Sequence, residues 1–92
     1  ATENYFEQYV YEKPTGFVVQ GKEVVITTKR LADALANLSE QRRTVLLMNF
    51  FLGYSERKIG NEYKRSRSAV NYWKLAALKQ LRKELEKTKH EE

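Results

Sequence analysis

The punctuation of the second half of the chain constrains the fold most. Gly53 ends an apolar segment, and Ser55 follows as a residue that can cap a helix with its hydroxyl. Nine residues later the polar run KRSRS, residues 64–68, interrupts the chain again. The spacing predicts a short helix over 56–63 with Ile59 and Tyr63 turned inward. After the break, Ser66 or Ser68 caps a long last helix whose apolar stripe is Val70, Trp73, Ala77, Leu78, Leu81 and Leu85.

A short helix, a turn of three to five residues and a longer helix form a helix-turn-helix, in which the second helix enters the DNA major groove. Ile59 and Tyr63 on the first helix can pack on Val70 and Trp73 of the second, and the small residues Gly60 and Ala69 suit a close approach between them. The first turns of the second helix then offer Arg67, Ser68, Asn71 and Tyr72 to base edges. Arginine binds guanine bidentately, asparagine binds adenine, and tyrosine can meet a thymine methyl or a phosphate. Arg57, Lys58, Lys64, Arg65 and Lys74 are the candidate phosphate contacts, with Ser66 and the local amides at the helix start. The alternative is an ordinary solvated helix start with a charge run that aids solubility.

Charge placement favours the first reading. Residues 1–52 carry six Lys/Arg and six Asp/Glu, whereas residues 53–92 carry eleven against six. Between 57 and 82, eight basic residues face one acid, Glu62. Such an asymmetry implies a polyanionic partner.

The first half is organised differently. Residues 1–13, ATENYFEQYVYEK, are acidic and aromatic without a clear period, and Pro14, Thr15 and Gly16 break the chain after them. FVVQGKEVVI, residues 17–26, reads as a β-hairpin around a central Gly-Lys, and an isolated hairpin must lean on the helices or on the aromatic arm. Thr28 can cap a helix carrying Leu31, Leu35 and Leu38, and Ser39 caps the next, with Glu40 in its first turn. In that second helix Val45, Leu46, Phe50 and Leu52 form the expected core stripe, and Phe51 lies off it.

Catalysis finds little support. The chain has no cysteine and one histidine, His90, near its end, so neither a thiolate or histidine metal site nor a Ser/His/Asp set can be assembled. Gly53 and Gly60 follow no strand, so no phosphate-cradling loop is expected. No cofactor is expected. No apolar run approaches the roughly 20 residues a membrane helix needs, and no secretory leader is seen, so a soluble cytoplasmic protein is the expectation.

The stretch from Leu38 to Leu85 resembles region four of bacterial sigma factors, the part that reads the promoter −35 element. That family shows a leucine-rich helix, a serine-capped helix with isoleucine, a second serine-capped start followed by valine, and a closing alanine–leucine–x–x–leucine–arginine. Here LSEQRRTVLLMNFFLGYSERKIG, SRSAV and ALKQLR occur in that order at matching spacing, over roughly half of the chain. The chain as a whole is similar to the small region-four-only proteins encoded on conjugative elements of Gram-positive bacteria. It departs from the family pattern at Lys58, where glutamate is usual, at Gly60 for alanine, at Lys64 for the glycine of the turn, and at Ala69 for threonine. Nothing in it resembles sigma regions two and three, so melting a promoter by itself is not expected.

The resemblance implies double-stranded DNA as the partner and adds RNA polymerase, whose flap region four grips through its first helices, here Leu31–Leu47. The expected architecture is mainly α: an aromatic arm and β-hairpin over 1–27, a four-helix domain with a C-terminal helix-turn-helix over 28–86, and a frayed tail over 87–92. A monomer is favoured, since no heptad run is long enough for a zipper. The competing function is a protein-interaction module that binds RNA polymerase or another regulator through the arm and hairpin without reading DNA.

Overall fold

The computed structural model describes residues 14–91, with side chains described to residue 87. The aromatic arm expected over 1–13 lies outside the described residues. Strands β1 (Thr15–Val19) and β2 (Lys22–Ile26) form an antiparallel hairpin, followed by helices α1 (Lys29–Ala36) and α2 (Glu40–Leu46). A π-helical segment (Leu47–Phe51) extends α2, and α3 (Glu56–Tyr63) and α4 (Arg67–Glu91) complete the chain. This is the mainly helical, four-helix architecture with a leading hairpin that the sequence implied.

The hairpin turns on Gln20 and Gly21, not on Gly21 and Lys22. Both turn residues have positive φ, 53° and 74°, and Val19 pairs with Lys22 across them. A two-residue loop with two positive φ values matches the right-handed twist of the strands. That register also sends Val19, Val24 and Ile26 into the core while Val18 and Val25 face outward. Sliding the turn by one residue would reverse those faces. The hairpin thus leans on the helices, its three buried side chains joining Leu35, Leu46 and Ile59 in one cluster.

The helix starts follow cap chemistry. The Ser39 hydroxyl accepts from the Arg42 amide at 3.3 Å, and the Ser55 hydroxyl from the Lys58 amide at 3.1 Å. Thr28 occupies the cap position of α1 but its side chain makes no capping bond. Arg30 of α1 reaches the Leu85 carbonyl at 2.8 Å, which joins the first helix to the last.

The core stripe of α2 departs from expectation. Beyond Leu46 the Leu52 amide bonds back to the Leu47 carbonyl at 3.0 Å, five residues earlier, so the turn takes one extra residue. The stripe therefore rotates. Leu47 and Met48 become fully buried, while Phe50 is 57% and Phe51 47% exposed. Gly53, at φ 74°, then turns the chain into Ser55. The last helix runs through Glu91, past the point where a tail was expected to begin.

Candidate nucleic-acid interface

Helix α3 ends in a tight left-handed turn. The Arg65 amide donates to the Gly60 carbonyl at 2.8 Å and the Lys64 amide to the Asn61 carbonyl at 3.4 Å, the paired bonds of a Schellman ending. Lys64 supplies the left-handed residue, at φ 55°. The absent side chain of Gly60 makes room for this turn: a Cβ there would stand 2.6 Å from the Arg65 carbonyl oxygen. The glycine thus accommodates the turn backbone, where the sequence had suggested helix-on-helix contact. The Ser66 hydroxyl, and not that of Ser68, caps α4 by accepting from the Ala69 amide at 3.1 Å.

The two helices are locked by Ile59 and Val70, both fully buried. Trp73 is half-buried against the same cluster. Tyr63, expected inward, is 38% exposed, although its hydroxyl donates to the Met48 sulfur at 3.7 Å.

With Val70 and Ala77 buried, the opposite face of α4 is solvent-facing. Arg67 and Ser68 are exposed at its start, and Tyr72 is 72% exposed one turn on. Arg67, Ser68, Asn71 and Glu56 line a shallow cleft. Asn71 is half-buried there, and its amide nitrogen donates to the Glu56 carboxylate at 3.2 Å. Lys74 makes an ion pair with the same carboxylate oxygen at 3.0 Å and sits 5.6 Å from the centre of the Phe50 ring. These contacts hold the Glu56 carboxyl below its ordinary range, the Lys74 hydrogen bond first and that of Asn71 second. Of the remaining basic candidates, Arg57, Lys58, Lys64 and Arg65 are all exposed around the turn and the start of α3.

Three residues absent from the sequence-based set belong to this region. Glu56 organises Asn71 and Lys74, residues 15 and 18 positions away, and no local spacing announces that pairing. Tyr54 receives a hydrogen bond from Lys22 at 3.0 Å and carries Lys58 4.1 Å from its ring centre. Lys22 belongs to the hairpin, 32 residues before Tyr54.

A second surface lies away from the turn. Leu31, Leu35, Phe50, Phe51, Leu78 and Leu81 line an apolar trough between α1, the π-helical segment and α4. No helix among the described residues is long and apolar enough to cross a membrane.

Compared with known proteins, residues 28–81 match a family model described as Sigma-70, region 4. Neither the curated proteins nor the solved structures returned a match.

Proposed function

The chain belongs to the sigma-70 region 4 family, and from that premise we propose that it is a sequence-specific DNA-binding regulator of transcription that lays α4 in the major groove. One observation carries the reading: the start of α4 presents Arg67, Ser68 and Tyr72 to solvent while Val70 on its other face is fully buried. Arg67 is the guanine reader, and Ser68 suits either a donor or an acceptor on a base edge. Asn71, its amide oriented by Glu56, addresses adenine, and Tyr72 addresses a thymine methyl or a phosphate. Arg57, Lys58, Lys64, Arg65 and Ser66 hold the backbone on either side. Lys74, already paired with Glu56, adds less. In this reading the protein acts as a monomer and belongs to a conjugative element.

The test is fluorescence-anisotropy binding to random and selected duplexes at several salt concentrations. Phosphate contacts give a log–log slope of about −0.9 for each phosphate neutralised. Tight binding that falls steeply with salt, and is stronger for the selected duplex, supports the reading. Salt-insensitive or absent binding sinks it.

A second reading is favoured by the apolar trough between α1 and α4, where Phe50 and Phe51 stay exposed beside Leu78 and Leu81. In it the trough receives an apolar segment of RNA polymerase, and the DNA-facing helix acts together with that contact. Retention of purified polymerase by the immobilised protein, lost on acidic substitution in the trough, is the corresponding test.

A further inference from the structure

The hairpin, residues 15–26, precedes the matched family region at 28–81, yet it is built into the fold. Val19, Val24 and Ile26 anchor it in the core, and the Gln20–Gly21 turn leaves Lys22 at its tip. The Lys22 ammonium donates to the Tyr54 hydroxyl at 3.0 Å and lies 5.3 Å from the centre of that ring. Lys58, in the first turn of α3, stands 4.1 Å from the centre of the same ring.

Tyr54 is itself held in place. Its amide donates to the Met48 carbonyl at 2.9 Å, and its carbonyl accepts from the Asn49 side chain at 2.8 Å. Two ammonium groups therefore converge on one fixed aromatic ring. Neither forms an ion pair with a carboxylate among the described residues. The nearby acid on α3, Glu56, is engaged with Asn71 and Lys74 instead. Two ammonium charges held at one ring, with no carboxylate partner among the described residues, attract an anion.

The placement identifies the anion. The first turn of α3 touches the major-groove helix through Glu56, and its Lys58 shares the Tyr54 ring with Lys22 of the hairpin, so the lysine pair flanks the surface offered to DNA. We propose that the hairpin is a wing, and that Lys22 together with Lys58 grips a backbone phosphate of the duplex beside the site read by α4. The compact, freely rotating charge of lysine suits a phosphate held without regard to sequence. This inference rests on the DNA-binding reading above.

The test measures anisotropy of the full chain on random and selected duplexes between 50 and 200 mM salt, for wild type, Lys22→Gln, Lys22→Arg and Arg57→Ala. Loss of one phosphate contact makes the slope shallower by about 0.9, so the ratio of variant to wild-type Kd shrinks about 3.5-fold over that range. Lys22→Gln is expected to show this change equally on both duplexes, and Lys22→Arg to retain the wild-type slope. Circular dichroism checks that melting is unaltered in each variant. An unchanged slope in Lys22→Gln, with a shallower one in Arg57→Ala, overturns the wing and leaves the helix reading intact; the lysine pair would then face an acidic protein instead. Wild type that binds no duplex at low salt overturns both.

Discussion

The Glu56 carboxylate lies 3.0 Å from the Lys74 ammonium, across the two helices of the helix-turn-helix, and also accepts from Asn71 at 3.2 Å. One acid thus sets the position of a candidate base reader and restrains a candidate phosphate contact. Because these bonds favour the charged form, its pKa in the folded protein is lowered. A carboxyl depressed on folding contributes stability above its unfolded pKa, about 4.3, and that contribution is lost as pH falls through the lower folded value. Glu56→Gln keeps an acceptor but no charge. Wild type should therefore melt higher than this variant at pH 7, with the difference disappearing in acid. Thermal melts followed by circular dichroism from pH 7 to pH 3 check this, and a pH-independent difference would refute it. The variant also releases Lys74 from its counter-charge, so its salt slope on random DNA should steepen by about 0.9.

Gly60→Ala is expected to destabilise, although alanine is the better helix former. In an open helix the exchange would stabilise by about 0.5–1 kcal/mol. Here the new Cβ would meet the Arg65 carbonyl oxygen at 2.6 Å, and that carbonyl belongs to the turn that aims α4. Overpacking of this kind costs about 1–3 kcal/mol. Urea denaturation gives the sign directly, and stabilisation would show that the turn yields without strain.

Lys64→Gly should move stability and DNA affinity in opposite directions. A non-glycine residue at φ 55° carries backbone strain of about 1–3 kcal/mol, and glycine relieves it while adding about 0.4–1 kcal/mol of unfolded-state entropy. A net gain of about 1 kcal/mol is expected. Losing the ammonium should weaken binding to all duplexes alike. Denaturation midpoints and anisotropy on the same samples separate the two effects.

These contacts also mark where the sequence was readable. Ser39 and Ser55 were legible because a cap bonds to an amide three residues away. The helix over 56–63 follows from the same local chemistry. The hairpin was legible but its turn was not. Gln20–Gly21 and Gly21–Lys22 both contain a glycine, and only the burial of Val19, Val24 and Ile26 selects between them. The π-helical segment escaped because nothing in LLMNFFL distinguishes a turn with one extra residue, and so Phe50 was expected in the core. Glu56 and Lys22 escaped because their partners are 18 and 32 residues distant. The basic surface was legible as composition, whereas its organising acid required the fold.

The exposed Phe51 offers a way to separate the two surfaces. It is 47% exposed in the trough lined by Leu31 and Leu81. Phe51→Asp should leave salt-dependent DNA binding unchanged and shift stability by no more than about 0.5–1 kcal/mol, the scale of a partly exposed site. Retention of RNA polymerase should fall at least tenfold if the trough receives an apolar segment. Equal retention by wild type and variant removes the trough from the polymerase contact.

Arg67 offers the decisive test of the proposed sequence reading. It is exposed at the first position of α4, next to Ser68 and one turn before Asn71. If it grips guanine bidentately, Arg67→Ala should cost about 1–3 kcal/mol on the selected duplex, and relax discrimination at one base pair. Arg57, exposed in the first turn of α3, has no place at a base edge in this reading. Arg57→Ala should therefore weaken selected and random duplexes by the same factor and make both salt slopes shallower by about 0.9. Anisotropy with the two duplexes, repeated for single-base variants of the selected site, distinguishes the roles. If Arg67→Ala weakens both duplexes equally, Arg67 is a phosphate contact and base reading falls to Ser68, Asn71 and Tyr72. If it changes neither, α4 does not face DNA through its first turn.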